Sequence, residues 1–228
     1  MAALDDVVNA IVATGALGTA AYGLVDITKF FGGGVSRAGF ESVRTAVMPY
    51  IDVANPPGVV FGTAQIVETL RANWMNGMAK ADQKAVAKSL IRLMLKPETA
   101  AALAGAAGVD PAHLRTAAEH IFQSQPLTDE DTRALGAFDV AVSASLDYGY
   151  ERGDQQYRNA AKIVAAIIAM ALAFAAGWIL YGDKPDGSPY WWLIAILIGA
   201  AAIPLAPVAK DLSSALQTAV KATAAIKR

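Results

Sequence analysis

The sequence predicts an all-α fold, specifically a three-span helical membrane protein with a helical bundle inserted between the first and second spans. Three observations predict it. First, the stretch from Ile163 to Val208 is two apolar runs separated by a turn rich in Gly, Pro and Asp. Each run has about 19 residues without a charge, enough at a rise of about 1.5 Å per residue to cross a hydrocarbon core of roughly 30 Å. Second, residues 36–157 are polar in composition, with apolar side chains recurring every three or four positions and no alternation of period two. Third, charged residues are only 17% of the chain, below the roughly 25% of soluble domains, which puts part of it outside water.

Composition also narrows the functional classes. A net charge of −1 gives no electrostatic footprint for nucleic acid. The chain has no cysteine, which excludes disulfides, thiolate nucleophiles and thiolate zinc sites.

The first apolar stretch runs from Val7 to Val25. Asp5 and Asp6 precede it where a signal peptide carries Lys or Arg, and it is longer than a usual signal core, so a signal anchor is expected. Neither a myristoylation glycine at position 2 nor a C-terminal prenylation cysteine is present. At 100° per residue Thr14, Gly15, Gly18, Thr19, Tyr22 and Asp26 share one broad face. Gly15, Thr19 and Gly23 form a small-xxx-small ladder along it. Small residues let helix backbones approach where lipid supplies no hydrophobic drive, so this face is expected to pack on another helix or to line a pore. Lys29 and the rings of Phe30 and Phe31 suit a headgroup layer, and Gly32, Gly33 and Gly34 read as a hinge.

The polar stretch reads as five or six helices. Phe40, Val43, Val47 and Ile51 make the stripe of the first, which Asn55-Pro56-Pro57-Gly58 stops. A second is expected over 60–78, with Ile66, Leu70 and Trp74 on one face. Asp82 is expected to cap a third, whose apolar stripe is Val86, Leu90, Leu93 and Met94 and whose wet stripe is Lys84, Lys88 and Arg92. Pro97 is expected to start an Ala-rich helix ending at Gly108. Asp110-Pro111 caps and opens the next, and Thr128 with Asp129, Glu130 and Asp131 starts a long one running into the second span. Gly149 and Gly153 are its expected bends. Beyond the hairpin, Pro204 and Pro207 are expected to kink the third span, and residues 210–228 read as an amphipathic tail helix. The resulting division is 1–29 first span, 30–158 bundle, 159–209 hairpin and 210–228 tail.

Positive charge sets the expected orientation. Lys29, Arg37 and Arg44 follow the first span, Arg152, Arg158 and Lys162 precede the second, and Lys210, Lys221, Lys227 and Arg228 follow the third. The opposite side carries Asp5, Asp6 and a turn with Lys184 against Asp183 and Asp186. The bundle and the C-terminus are therefore expected in the cytoplasm, in an inner membrane, with Tyr181, Tyr190, Trp191 and Trp192 as the outer aromatic belt.

Little in the sequence points to chemistry. His113 and His120 lie seven apart on one helix, about 10 Å, too far to share a metal ion unaided. Asp129, Glu130 and Asp131 are explained by a helix start. Phosphate-loop, dinucleotide, kinase and nucleophile-elbow motifs are missing. The second and third spans carry no ionisable residue, which disfavours a coupled transporter. A polar and aromatic patch of Asp147, Tyr148, Tyr150 and Arg152 before the second span is a candidate contact surface. No cofactor and no metal are expected. The lipid bilayer and self-association, or docking to a larger membrane complex, are. The expected function is a non-enzymatic structural, scaffold or accessory subunit, with a homo-oligomeric channel lined by the first span as the alternative.

Overall fold

The computed structural model describes residues 2–28, 33–52, 62–181 and 189–207, and every regular element among them is helical. The glycine hinge, apart from Gly33 and Gly34, the Asn-Pro-Pro-Gly stop, the hairpin turn and the tail helix lie outside the described residues. The elements are α1 (Ala2–Ile27), α2 (Ser36–Ile51), α3 (Thr63–Met75), α4 (Lys80–Leu93), α5 (Ala100–Ala107), α6 (Pro111–Phe122), α7 (Asp129–Tyr181) and α8 (Trp191–Pro207). The chain divides into two compact units, one formed by residues 36–157 and the other by 1–35 with 158–228.

The unit formed by 36–157 is a bundle around one core. Its largest fully buried side chains are Tyr150, Ile51, Ile66, Leu70, Ile91, Met94, Leu103, Leu114 and Leu146. Burial of such side chains contributes roughly 1.5–3 kcal/mol each, and that drive selects stripes such as Phe40, Val43, Val47 and Ile51 on α2. Local chemistry sets several helix ends. The Asp110 carboxylate accepts from His113 N at 2.9 Å, with Pro111 in the first turn. Gly108 closes α5 at φ 67°, where a Cβ is disfavoured. At the start of α7 Thr128 and Asp131 cap each other: Asp131 N donates to Thr128 Oγ1 (3.1 Å) and Thr128 N to Asp131 Oδ2 (2.8 Å).

Five local expectations are corrected. On α4 the core face is Ala87, Ile91 and Met94, with Val86 and Leu90 beside it, while Leu93, expected in the apolar stripe, is exposed. α4 starts at Lys80, so Asp82 sits in its first turn and is not its cap. α5 starts at Ala100 because the Thr99 hydroxyl, accepting from Lys96 N and donating to Met94 O, ties residues 94–99 into a turn. α3 starts at Thr63 rather than near residue 60. Gly149 and Gly153 lie within an unbroken α7 and serve instead as contact points. A Cβ on Gly153 would come within 2.7 Å of Gly39 O, and one on Gly149 would strike Ala46 Cβ, so α2 and α7 meet along glycine.

The other unit is built from α1, α8 and the 158–181 segment of α7, and its seams are made of small residues. Along α7 the buried positions are Ala165, Ala169 and Ala173, and on α8 they are Ala195, Gly199, Ala202 and Ala206. α1 contributes Gly15, Gly18, Ala21 and Val25. A Cβ on Gly18 would overlap the Ala202 carbonyl, and one on Gly199 would overlap the Met170 backbone. Trp191 packs on Phe174 and Trp178, with ring centroids 5.2 and 6.0 Å apart. Large apolar side chains point outward from the same helices: Ile163, Ile167, Trp178, Ile179, Leu197 and Ile198 are all exposed.

Candidate functional site

The six α1 residues expected to share a face separate in the structure. Gly15 and Gly18 are buried, Thr14 and Tyr22 are half-buried, and Thr19 and Asp26 are exposed. Both threonine hydroxyls are used locally: Thr14 Oγ1 donates to Ala10 O (2.7 Å) and Thr19 Oγ1 to Gly15 O (3.0 Å). The inward seam is thus narrower than the broad face, and of the Gly15, Thr19, Gly23 ladder only Gly15 is buried.

The expected contact patch of Asp147, Tyr148, Tyr150 and Arg152 also separates. Tyr150 is core and not surface: it is fully buried, packs on Trp74 at 6.2 Å, and burial pushes its phenol up to about 12. Its hydroxyl donates to Gln83 O at 3.4 Å. Asp147 accepts from Lys84 Nζ at 2.6 Å. Tyr148 and Arg152 hold each other on the surface, one guanidinium N–H donating to the phenol oxygen at 2.6 Å and the cation lying 5.9 Å from the ring centre. These two line a groove of about 540 Å³ between α2 and α7, together with Ser42, Thr45, Pro49 and Ser145. The Ser42 hydroxyl bridges that groove to Gln156 Oε1 at 2.8 Å.

Sequence reasoning missed an ion ladder joining α4 to α7. Lys84, Lys88 and Arg92 were expected to face water alone; each meets an acid of α7. Lys88 and Arg92 share Asp139, Lys84 meets Asp147, and Lys80 reaches Glu151 (3.0 Å) and Asp154 (3.4 Å). Burial pushes the Asp139 carboxyl up, but Lys88 and Arg92 more than offset it, so its pKa lies below the usual carboxylate range. The bond to Glu151 raises Lys80. The legible signal was cations at 80, 84, 88 and 92, one per helical turn, matched by acids on a single later helix.

A second missed feature ties α6 to α7. His120 Nδ1 lies 2.7 Å from Asp131 Oδ2, and Asp131 is almost wholly buried. The Thr128 backbone N–H, then the bonds from His120 and the Thr128 hydroxyl, hold Asp131 below the ordinary carboxylate range. His113 instead pairs with Asp110 on the surface, so the two histidines serve separate carboxylates. Among the described residues no group of three metal-ligating side chains comes together.

The fold therefore defines a class: an all-helical protein with two helices, α1 and α7, long and apolar enough to cross a membrane, and a shorter apolar helix, α8. No protein-family model, curated protein or solved structure matches the chain.

Proposed function

We propose that the chain is a non-enzymatic, oligomeric integral membrane protein, a scaffold or accessory subunit whose helical bundle makes its contacts. In this reading α1, the 163–181 part of α7 and α8 are three spans. The bundle is inserted between the first and second, and it lies with the C-terminus on the cytoplasmic side of the inner membrane. One observation carries it: one unit puts Ala and Gly inside and Ile, Leu and Trp outside. Water penalises that inversion through the exposed apolar area, whereas lipid does not. The bias of Lys and Arg toward the bundle side of each span supports the orientation.

The channel alternative needs the Thr and Gly face of α1 to be wet. The contact of Gly18 with Ala202 and the local use of both threonine hydroxyls favour packing over lining. Because the chain has no cysteine, single cysteines test this cleanly. Thr14→Cys and Thr19→Cys are expected to resist a membrane-impermeant thiol reagent in native membranes; rapid labelling of both would restore the pore. Carbonate extraction is expected to leave the protein in the membrane pellet, and native mass spectrometry of the solubilised protein to show more than one chain. Release by carbonate would end the membrane reading, and a bare monomer the scaffold.

A further inference from the structure

The bundle carries a second groove, about 360 Å³ in volume, between α2 and α3. Its cationic lining is all arginine: Arg37 and Arg44, seven apart and so on one face of α2, and Arg71 from α3. Apolar lining comes from Phe40, Val67 and Met75. Two glutamates share the groove, each beside one arginine. Glu41 lies 3.1 Å from Arg44 and Glu68 lies 3.8 Å from Arg71. Both pairs are largely exposed, which makes them weak and easily reopened. Arg37 is exposed and has no ion-pair partner among the described residues.

We propose that this groove binds the phosphate of an anionic phospholipid headgroup. A planar guanidinium presents paired N–H donors that match phosphate oxygens, and its five donors let Arg44 and Arg71 keep a glutamate while serving a ligand. Three such groups around one concavity exceed what a lone carboxylate can use, and a phosphate diester offers more acceptors. The apolar lining suits the glycerol and first methylenes of a lipid and has no use for a bare ion. Position in the chain agrees, since Arg37 follows the last residue of α1 by only ten positions (37 − 27). The lipid source rests on the membrane reading above; the chemistry of the groove does not.

The test uses the full chain in a zwitterionic detergent, titrated with phosphatidylglycerol or phosphatidylcholine and followed by native mass spectrometry. sn-Glycerol 3-phosphate is the soluble arm. The expected result is a phosphatidylglycerol adduct preferred over phosphatidylcholine. It should be abolished in R37Q/R44Q/R71Q and kept in K96Q/R115Q/R133Q, which removes equal charge elsewhere in the bundle. Arg37→Gln, at an exposed position, leaves the fold intact and is expected to weaken binding roughly tenfold. Equal loss in both triple variants would reduce the effect to diffuse charge and overturn the proposal, as would the absence of any lipid preference. Binding of glycerol phosphate with no lipid adduct would overturn the lipid source. Carbonate extraction, read separately, tells that outcome from a failure of the membrane reading.

Discussion

The bundle is filled mainly by large side chains, apart from the glycine contact of α2 with α7, whereas the buried seams of the other unit are almost all Ala and Gly. Tyr150, Ile91, Leu103 and Leu146 fill the first; Ala169, Ala173, Gly199 and Ala202 form the seams of the second. Their surfaces invert in the same sense. The bundle faces outward with Lys, Arg, Asp and Glu, many of them paired, while α7 beyond residue 162 and α8 face outward with Ile, Leu, Phe and Trp. The comparison separates two ways of holding helices together. One removes apolar area from water and gains with side-chain size. The other brings backbones close enough for dispersion to act and gains as side chains shrink.

The largest expected effect is in the bundle core. Ile91→Ala or Leu103→Ala should cost about 2–5 kcal/mol. Denaturant unfolding read through Trp74, the bundle's own tryptophan, checks this. Ile167→Ala, the same kind of truncation on the outer face of α7, should cost less than about 0.5 kcal/mol in a bilayer mimic. A comparable loss at both positions would break the contrast.

Enlarging a seam should do the reverse of truncating a core. Gly199→Leu is expected to cost about 1–3 kcal/mol or to part α8 from α7, because its side chain would enter the Met170 backbone. Loss of the emission signature of Trp191, which packs on Phe174, is the readout. A variant as stable as the parent would mean that the two helices are not held by close approach.

The ion ladder comes next. Asp139→Asn strips the shared partner from Lys88 and Arg92 at a position about 28% exposed, and about 1 kcal/mol is expected. Lys84→Ala, at the more exposed Asp147 pair, should cost half of that or less. Thermal midpoints at low and high salt rank the two, and the order should survive salt while the gap narrows.

At neutral pH none of the remaining effects is visible; they emerge only at the acid and alkaline limbs and are again confined to the bundle. Asp131 and Asp139 lie below their unfolded values, so their contribution is complete above about pH 4 and is lost as pH falls through their folded values. Tyr150 is raised to about 12. The unfolded chain therefore ionises first, and stability should decline as pH rises from about 10. The raised Lys80 declines in the same direction. Asp131→Asn should flatten the acid limb; an unchanged limb would show that the buried carboxylate contributes nothing.

Much of this molecule was legible as sequence because it rests on local periodicity and local chemistry. The all-helical class, the stripe of Phe40, Val43, Val47 and Ile51, the Asp110-Pro111 start, the Gly108 stop and the apolar character of α1 and α7 follow from spacing, capping and length. What escaped depends on which face meets which neighbour. Tyr150 reads as one residue of a polar patch, yet its position on α7 turns it into the core while Tyr148, two residues earlier, turns out. Lys84 and Lys88 read as a wet stripe because their partners lie roughly 50 or more residues away in sequence. Gly149 and Gly153 read as bends because a glycine in a helix signals either weakness or close approach, and only a neighbouring backbone, here that of α2, decides between them. By itself the sequence determined where helices form and how apolar each one is. Tertiary structure alone decided which charges pair, which glycines touch and which three arginines share a groove, because those depend on contacts between helices distant in the chain.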